Sequence, residues 1–203
     1  MTGTATSEPA LLAAALLAAA LLCAGCGSGG GGRSRSAAAA TPPAGFAAID
    51  ARPAPAGWRA ARIPTGAVLR YPPSWRPAGG DAGTATVVLR EDGKRIAGYL
   101  NVTPRQSDET LADWPGFRVG HNAREGDRSV TAEAVARRVP FRGGRGTCVR
   151  DRYRTVTGAS YIEIACLVTG RGGARAVIVG AAPPEAWARI SPTLYRSLSA
   201  FTA

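Results

Sequence analysis

The stretch TATVVLREDGKRIAGYLNVT, residues 84–103, decides how the rest of the chain is read. Two runs rich in β-branched residues, Thr84–Arg90 and Ile96–Thr103, flank Glu91-Asp92-Gly93-Lys94. Branched side chains suit the pleated surface of a strand. Asp-Gly tolerates the positive φ angles of a tight reversal, so the pattern predicts an antiparallel hairpin.

Working outward, Ala67–Tyr71 is a short apolar run closed by Pro72-Pro73, with Trp75 just beyond. On the other side Leu111, Trp114, Phe117 and His121 recur every three or four residues, which predicts a helix over Ser107–Ala123. Pro115 is compatible only with the first turns of that helix. Strands are expected over Ala132–Val139, Gly146–Thr155, Ala159–Thr169 and Arg175–Ala181, the last a near-continuous apolar run suited to a central position. Trp187, Ile190, Leu194, Leu198 and Phe201 then form one helical stripe, which Ser191-Pro192 is expected to restart or kink. The element order β-β-β-α-β-β-β-β-α predicts an α+β fold, an antiparallel sheet with helices packed on it.

This order, with Tyr71-Pro72-Pro73-Ser74-Trp75 after the first strand and a C-terminal helix ending in Ser197-Leu198-Ser199-Ala200-Phe201, resembles the PsbP-like α/β/α sandwich. The resemblance covers about Ile63 to Thr202. An extrinsic photosystem II protein, a nuclear Ran-binding protein and actinobacterial lipoproteins share that fold. It implies binding and assembly rather than catalysis, although a fold alone does not fix a function.

The N-terminal quarter is different in kind. Ala10–Gly25 is Ala and Leu apart from Cys23 and Gly25, shorter than the roughly 20 residues of a membrane-crossing helix and close to a signal h-region. It runs into Ala24-Gly25-Cys26-Gly27-Ser28 and a glycine run. This resembles the lipobox of bacterial lipoproteins, with Cys23 where Leu is usual and no Lys or Arg before the apolar core. The resemblance implies cleavage before Cys26 and a diacylglyceryl group on its thiol. Two acyl chains anchor stably where one does not. The expected organisation is a signal peptide over 1–25, a flexible Gly/Ala/Pro tether over 26–57 and one globular domain over 58–203, held on the outer face of the cell membrane.

The formal charge is +11, with 25 bases of which only Lys94 is not arginine. Arg137, Arg138, Arg142, Arg145, Arg150, Arg152 and Arg154 crowd one stretch, and the last three alternate, so they share a strand face. They form a candidate site for an anionic ligand, lipid or cell-envelope polymer, set against the plainer reading of a solvated sheet face. Nucleic acid is not an expected partner. Cys148 and Cys166 are candidates for a disulfide in an oxidising compartment. A hairpin turning about Thr157 sets them opposite each other but puts Arg150 against Ile164. A shift by one residue pairs Val149 with Cys166 and separates the thiols.

Nothing in the sequence argues for catalysis. His121 is the only histidine, Ser74 and Ser160 lie in no nucleophile motif, no glycine run has phosphate-loop spacing, and the carboxylates stand at no suggestive spacing. No catalytic residue, metal or cofactor is expected. The leading reading is a non-catalytic, membrane-anchored binding or assembly module for a protein or anionic cell-envelope partner. Its rivals are a carrier of an anionic ligand or lipid, favoured by a pocket of Arg and aromatics, and a hydrolase, favoured by a buried carboxylate beside a serine or His121. The anchoring expectation is open to direct test: Cys26→Ser should move the protein out of the membrane fraction or leave its precursor uncut, and unchanged fractionation and mass would refute it.

Overall fold

The computed structural model describes residues 43–203. The signal peptide, Cys26 and the tether before residue 43 lie outside the described residues. The elements are β1 (Arg59–Arg62), β2 (Val68–Tyr71), β3 (Arg76–Ala78), β4 (Ala85–Glu91), β5 (Arg95–Pro104), α1 (Trp114–Arg124), β6 (Arg128–Phe141), β7 (Gly144–Arg154), β8 (Ser160–Gly170), β9 (Arg175–Ala182) and α2 (Pro184–Ala200). Seven strands form one antiparallel sheet in the order β3-β4-β5-β9-β8-β7-β6, and β1 and β2 pair separately as a small hairpin. The expected α+β architecture is present. No described helix is long and apolar enough to cross a membrane.

The hairpin that opened the reading is β4–β5. Asp92 and Gly93 both take positive φ, 53° and 69°, and Lys94 N–H closes the turn on the Glu91 carbonyl. That is the geometry whose twist matches two paired strands. Its antiparallel pairing with β9, through Tyr99↔Ala181 to Pro104↔Ala176, brings the C-terminal strand to the middle of the sheet. The apolar run of β9 is buried on both faces, as its composition suggests.

α2 lies on the face that carries Leu100, Val102, Ile164 and Ile178, and with them forms the main core. Ile190, Leu194, Leu198 and Phe201 of the expected stripe are buried, while Trp187 is only partly so. Close approach is possible because Gly98 and Gly180 lie under the helix. A Cβ at Gly98 would stand 2.8 Å from Ile190 Cγ2 and 3.2 Å from the Trp75 ring. The aromatic of the Tyr-Pro-Pro-Ser-Trp segment thus fills the space that glycine leaves.

Four expectations need correction. The helix does not restart at Ser191-Pro192: it runs through, with Pro192 inside it, because the buried stripe is continuous across that turn. The first helix is shorter than expected, since the segment 105–113 is shaped by Glu109, whose carboxylate accepts from the Gln106 and Ser107 amides at 3.0 and 2.9 Å. β1 and β3 were not expected, being short and only partly buried. Finally, residues 45–52, assigned to the tether, make contacts with the domain. Phe46 and Ile49 are buried in the α2 core, Tyr195 donates to the Gly45 carbonyl at 2.7 Å, and Ser199 binds the Asp50 and Arg52 amides through its hydroxyl and carbonyl.

Cys148 and Cys166 are bonded and directly opposed, so the first of the two registers holds and Arg150 does face Ile164. Arg150 is accommodated there by Glu133, 3.0 Å away, and lies under Gly45. The packing account predicts that Leu194→Ala, at a fully buried position, costs about 2–5 kcal/mol in urea unfolding. A cost below about 0.5 kcal/mol, the size of an ordinary surface change, would show that the helix does not seal this core.

Candidate functional site

α1 meets the sheet through one polar row. Trp114, Arg118 and Asn122 are four residues apart and so share a face. Trp114 Nε1 donates to the Ala165 carbonyl at 3.0 Å, Arg118 Nε to Glu163 Oε1 at 2.6 Å, and Asn122 Nδ2 to Asp151 Oδ2 at 3.4 Å. The neighbouring stripe is aromatic: Trp114 stacks with Phe117 at 5.9 Å between centroids, and Phe117 with His121 at 6.0 Å.

The helix lies over β6, β7 and β8, its Trp114 packs also on Val177 and Val179 of β9, and it makes no comparable contact with β4 and β5. A cleft of about 330 Å³ results. Its floor is Thr86, Asn101, Val177 and Val179, with Phe117 and His121 on the α1 side and Asp81 on the opposite rim. Asn101 Nδ2 donates to Thr86 Oγ1 at 2.7 Å, fixing the amide. The floor therefore offers hydroxyl and amide groups, and the helix offers flat ring surface.

Beneath α1 lie two buried carboxylates. Asp151 and Glu163 face each other across β7 and β8, and neither is exposed. Glu163 accepts from Arg118 on one oxygen and from the Tyr99 and Tyr153 hydroxyls on the other, each at 3.1 Å. The two hydroxyls are 2.9 Å apart. Burial disfavours the Arg118 charge, but Glu163 outweighs it and the guanidinium is held firmly protonated. Burial, then the Glu163 charge, raises both tyrosines and keeps them neutral. The same two causes push Asp151 up to about 8, with Arg118 pulling less strongly the other way. Asp151 Oδ1 has no hydrogen-bond partner among the described residues. His121 is lowered, first by burial and then by Arg118, so its ring is neutral at pH 7.

This arrangement has a clear chemical consequence. Both oxygens of Glu163 are engaged, and Asp151 is covered. Neither presents an unengaged oxygen to the cleft. His121 is exposed to the cleft, but no serine or cysteine is among the residues lining it.

The arginine stretch is not one strip. Arg150, Arg152 and Arg154 do share a face, where Arg150 and Arg152 pair with the single carboxylate of Glu133 at 3.0 and 2.9 Å and Arg154 donates to the Gly158 carbonyl. Arg137 instead donates to the Leu111 and Ala112 carbonyls before α1. Arg138 sits at a bulge of β6 with φ of 57°, Arg142 is bridged to Thr202, and Arg145 is near the β6–β7 turn. The disulfide lies in the α2 core, away from the cleft. The Asp151–Glu163 pair, by contrast, was not anticipated. Its signal was Glu163 within Tyr161-Ile162-Glu163-Ile164-Ala165, an acid in a strand whose other residues read as buried on both faces.

The sign of the Asp151 effect is fixed by linkage. A carboxyl whose folded pKa is raised to about 8 binds a proton that the unfolded chain releases near 4, so stability is full below about pH 4 and declines as pH rises to about 8. Asp151→Asn mimics the protonated form. The unfolding free energy of this variant from urea titration should exceed that of the wild type at pH 8, by an amount on the order of a few kcal/mol, and should vary less between pH 5 and 8. Parallel pH profiles would contradict the assignment.

Comparison with known proteins gives the fold and no family. No family model matches the chain, and no curated protein matches it. Among solved structures, the Ran-binding protein Mog1p of Saccharomyces cerevisiae is similar at 14% identity over 70% of this chain and 87% of that one, with a TM-score of 0.46. LpqN, involved in cell envelope biogenesis of Mycobacterium tuberculosis, is similar at 13% identity over 68% and 82%, with a TM-score of 0.47. The solution structure of cyanobacterial PsbP (CyanoP) from Synechocystis sp. PCC 6803 is similar at 20% identity over 73% of this chain and 94% of that one, with a TM-score of 0.50, so the described domain has a PsbP-like α+β fold.

Proposed function

We propose that this chain is a non-catalytic binding module, held on the outer face of a membrane by lipid on Cys26, that takes a small amphipathic ligand into the cleft beside α1. The observation that carries the reading is the half-covered sheet. One helix spans β6–β8, and the cleft beside it presents Thr86 and Asn101 next to the apolar Val177 and Val179. Concave sites that combine ring surface with a few fixed polar groups are the usual form of small-molecule pockets. A ligand with one apolar face and several hydrogen-bonding groups fits both walls.

The chemistry of the cleft favours binding over the two rival readings. A pocket of Arg and aromatics was the expected mark of an anion carrier, and Arg118 and Phe117 do line the cleft. Arg118, however, is engaged by Glu163 at 2.6 Å and brings no uncompensated charge. A buried carboxylate near His121 was the expected mark of a hydrolase. Glu163 fits that description in position but already accepts three hydrogen bonds. Arg152 and Arg154, with the half-buried Arg150 between β-strand neighbours, remain a second surface for an anionic envelope partner, and Arg150 and Arg152 are shared with Glu133.

The test uses the full-length protein purified from its native membrane. Native mass spectrometry should find a co-purifying small molecule on the wild type that is lost, or retained at least about tenfold less, in the Phe117→Ala and Asn101→Ala variants. Retention in both variants would place the ligand elsewhere. Turnover of any substrate that vanishes on His121→Ala would replace binding with catalysis.

A further inference from the structure

We infer that α1 is a pH-released wall: loss of the Asp151 proton, beside the buried Glu163 carboxylate, frees the C-terminal half of α1 and opens the cleft. The inference rests on the cleft reading above, because it assigns a control to that site.

The geometry supplies the argument. Two carboxylates face each other across β7 and β8 with no exposure to solvent, and a single guanidinium, Arg118, meets one of them. With one negative charge the group of three is balanced. A second charge has no counterion. The groups facing Asp151 confirm the shortage: Glu163 from β8, Asp127 after α1 and Glu133 from β6 all disfavour its charge, and only Arg118 opposes them. Asn122 supplies one neutral donor to Oδ2, while Oδ1 has none among the described residues. Tyr99 and Tyr153 point their hydroxyls at Glu163 rather than at Asp151, and His121 is neutral in the relevant range.

A buried charge without a partner is relieved most cheaply by water. The covering element here is the last part of α1, which has little to hold it. Its only buried residues are Trp114 and Asn122. Trp114 anchors the N-terminal end in an apolar cluster with Val149, Ala165 and Leu167. The C-terminal end has Asn122 and the Arg118 ion pair, and a surface hollow lined by Arg118, Asn122, Asp127 and Tyr153 already reaches its flank. Lifting this end about Trp114 lets water reach Asp151. It also withdraws His121, which forms part of the cleft wall. The β4–β5–β9 floor and α2 keep their packing.

Hydrogen exchange of the full chain without ligand separates this from global loosening and from the cleft reading itself. After correction for intrinsic exchange, amides of residues 118–124 should lose protection by up to about tenfold per pH unit as pH rises to about 8 and level off above it, while α2 amides hold theirs. Asp151→Asn should keep α1 protected across the same range. Equal loss in α1 and α2, a flat wild-type profile, or an Asp151→Asn profile identical to wild type would each overturn the inference. Because no ligand is present, failure here leaves the mass-spectrometric test of binding untouched, and failure of that test leaves this one standing.

Discussion

The contact between Arg118 and Glu163 organises the α1 face of the domain. A carboxylate in the middle of a seven-stranded sheet cannot stay charged without a cation and further donors. The cation comes from α1, and the donors come from Tyr99 on β5 and Tyr153 on β7. Four elements are therefore registered on one side chain. The position of α1 over β6–β8 follows from where Glu163 stands, and the open half of the sheet follows from the position of α1. Breaking such a pair from one side leaves the other partner buried and unmatched, which is generally far more damaging than never having had it.

The two faces of the sheet are built on different physics. Under α2 the contact is apolar and close, with Gly98 and Gly180 admitting Ile190, Leu194 and Leu198. Under α1 it is a short polar row with only a small apolar cluster at one end. Dispersion and burial fix the first face against most conditions, whereas hydrogen bonds and ion pairs fix the second only while the right protons are in place. The division gives one molecule a rigid half and an adjustable half.

Much of this fold was legible because its signals are local. Asp92-Gly93 announced the hairpin, β9 announced its central position, and the spacing from Ile190 to Phe201 announced the stripe of α2. The disulfide register was legible only as one of two choices, since the sequence could not show that Glu133 would receive Arg150. The Asp151–Glu163 pair was not legible, because the two residues are twelve positions apart and meet through strand register. Spacing along the chain carries no sign of it. The packing of Phe46 and Ile49 was missed for a related reason: two apolar residues in an Ala- and Pro-rich segment have no periodicity to report.

The outer strand β6 has a consequence for how copies of this molecule behave toward one another. It is the longest strand, and it lies at the end of the sheet, where unpaired amides and carbonyls invite another chain to add on. Its pairing with β7 shifts register at Arg128/Thr131, Ala132/Ala134 and Ala136/Val139, and Ser129 and Arg138 adopt left-handed backbone. Each irregularity bends and twists the strand, so its free side presents no straight ladder long enough to template a neighbour. The opposite edge, β3, is three residues long and includes Pro77. Neither border of the sheet is fit for strand addition, and molecules crowded together at high local density are thereby kept from zipping into fibres.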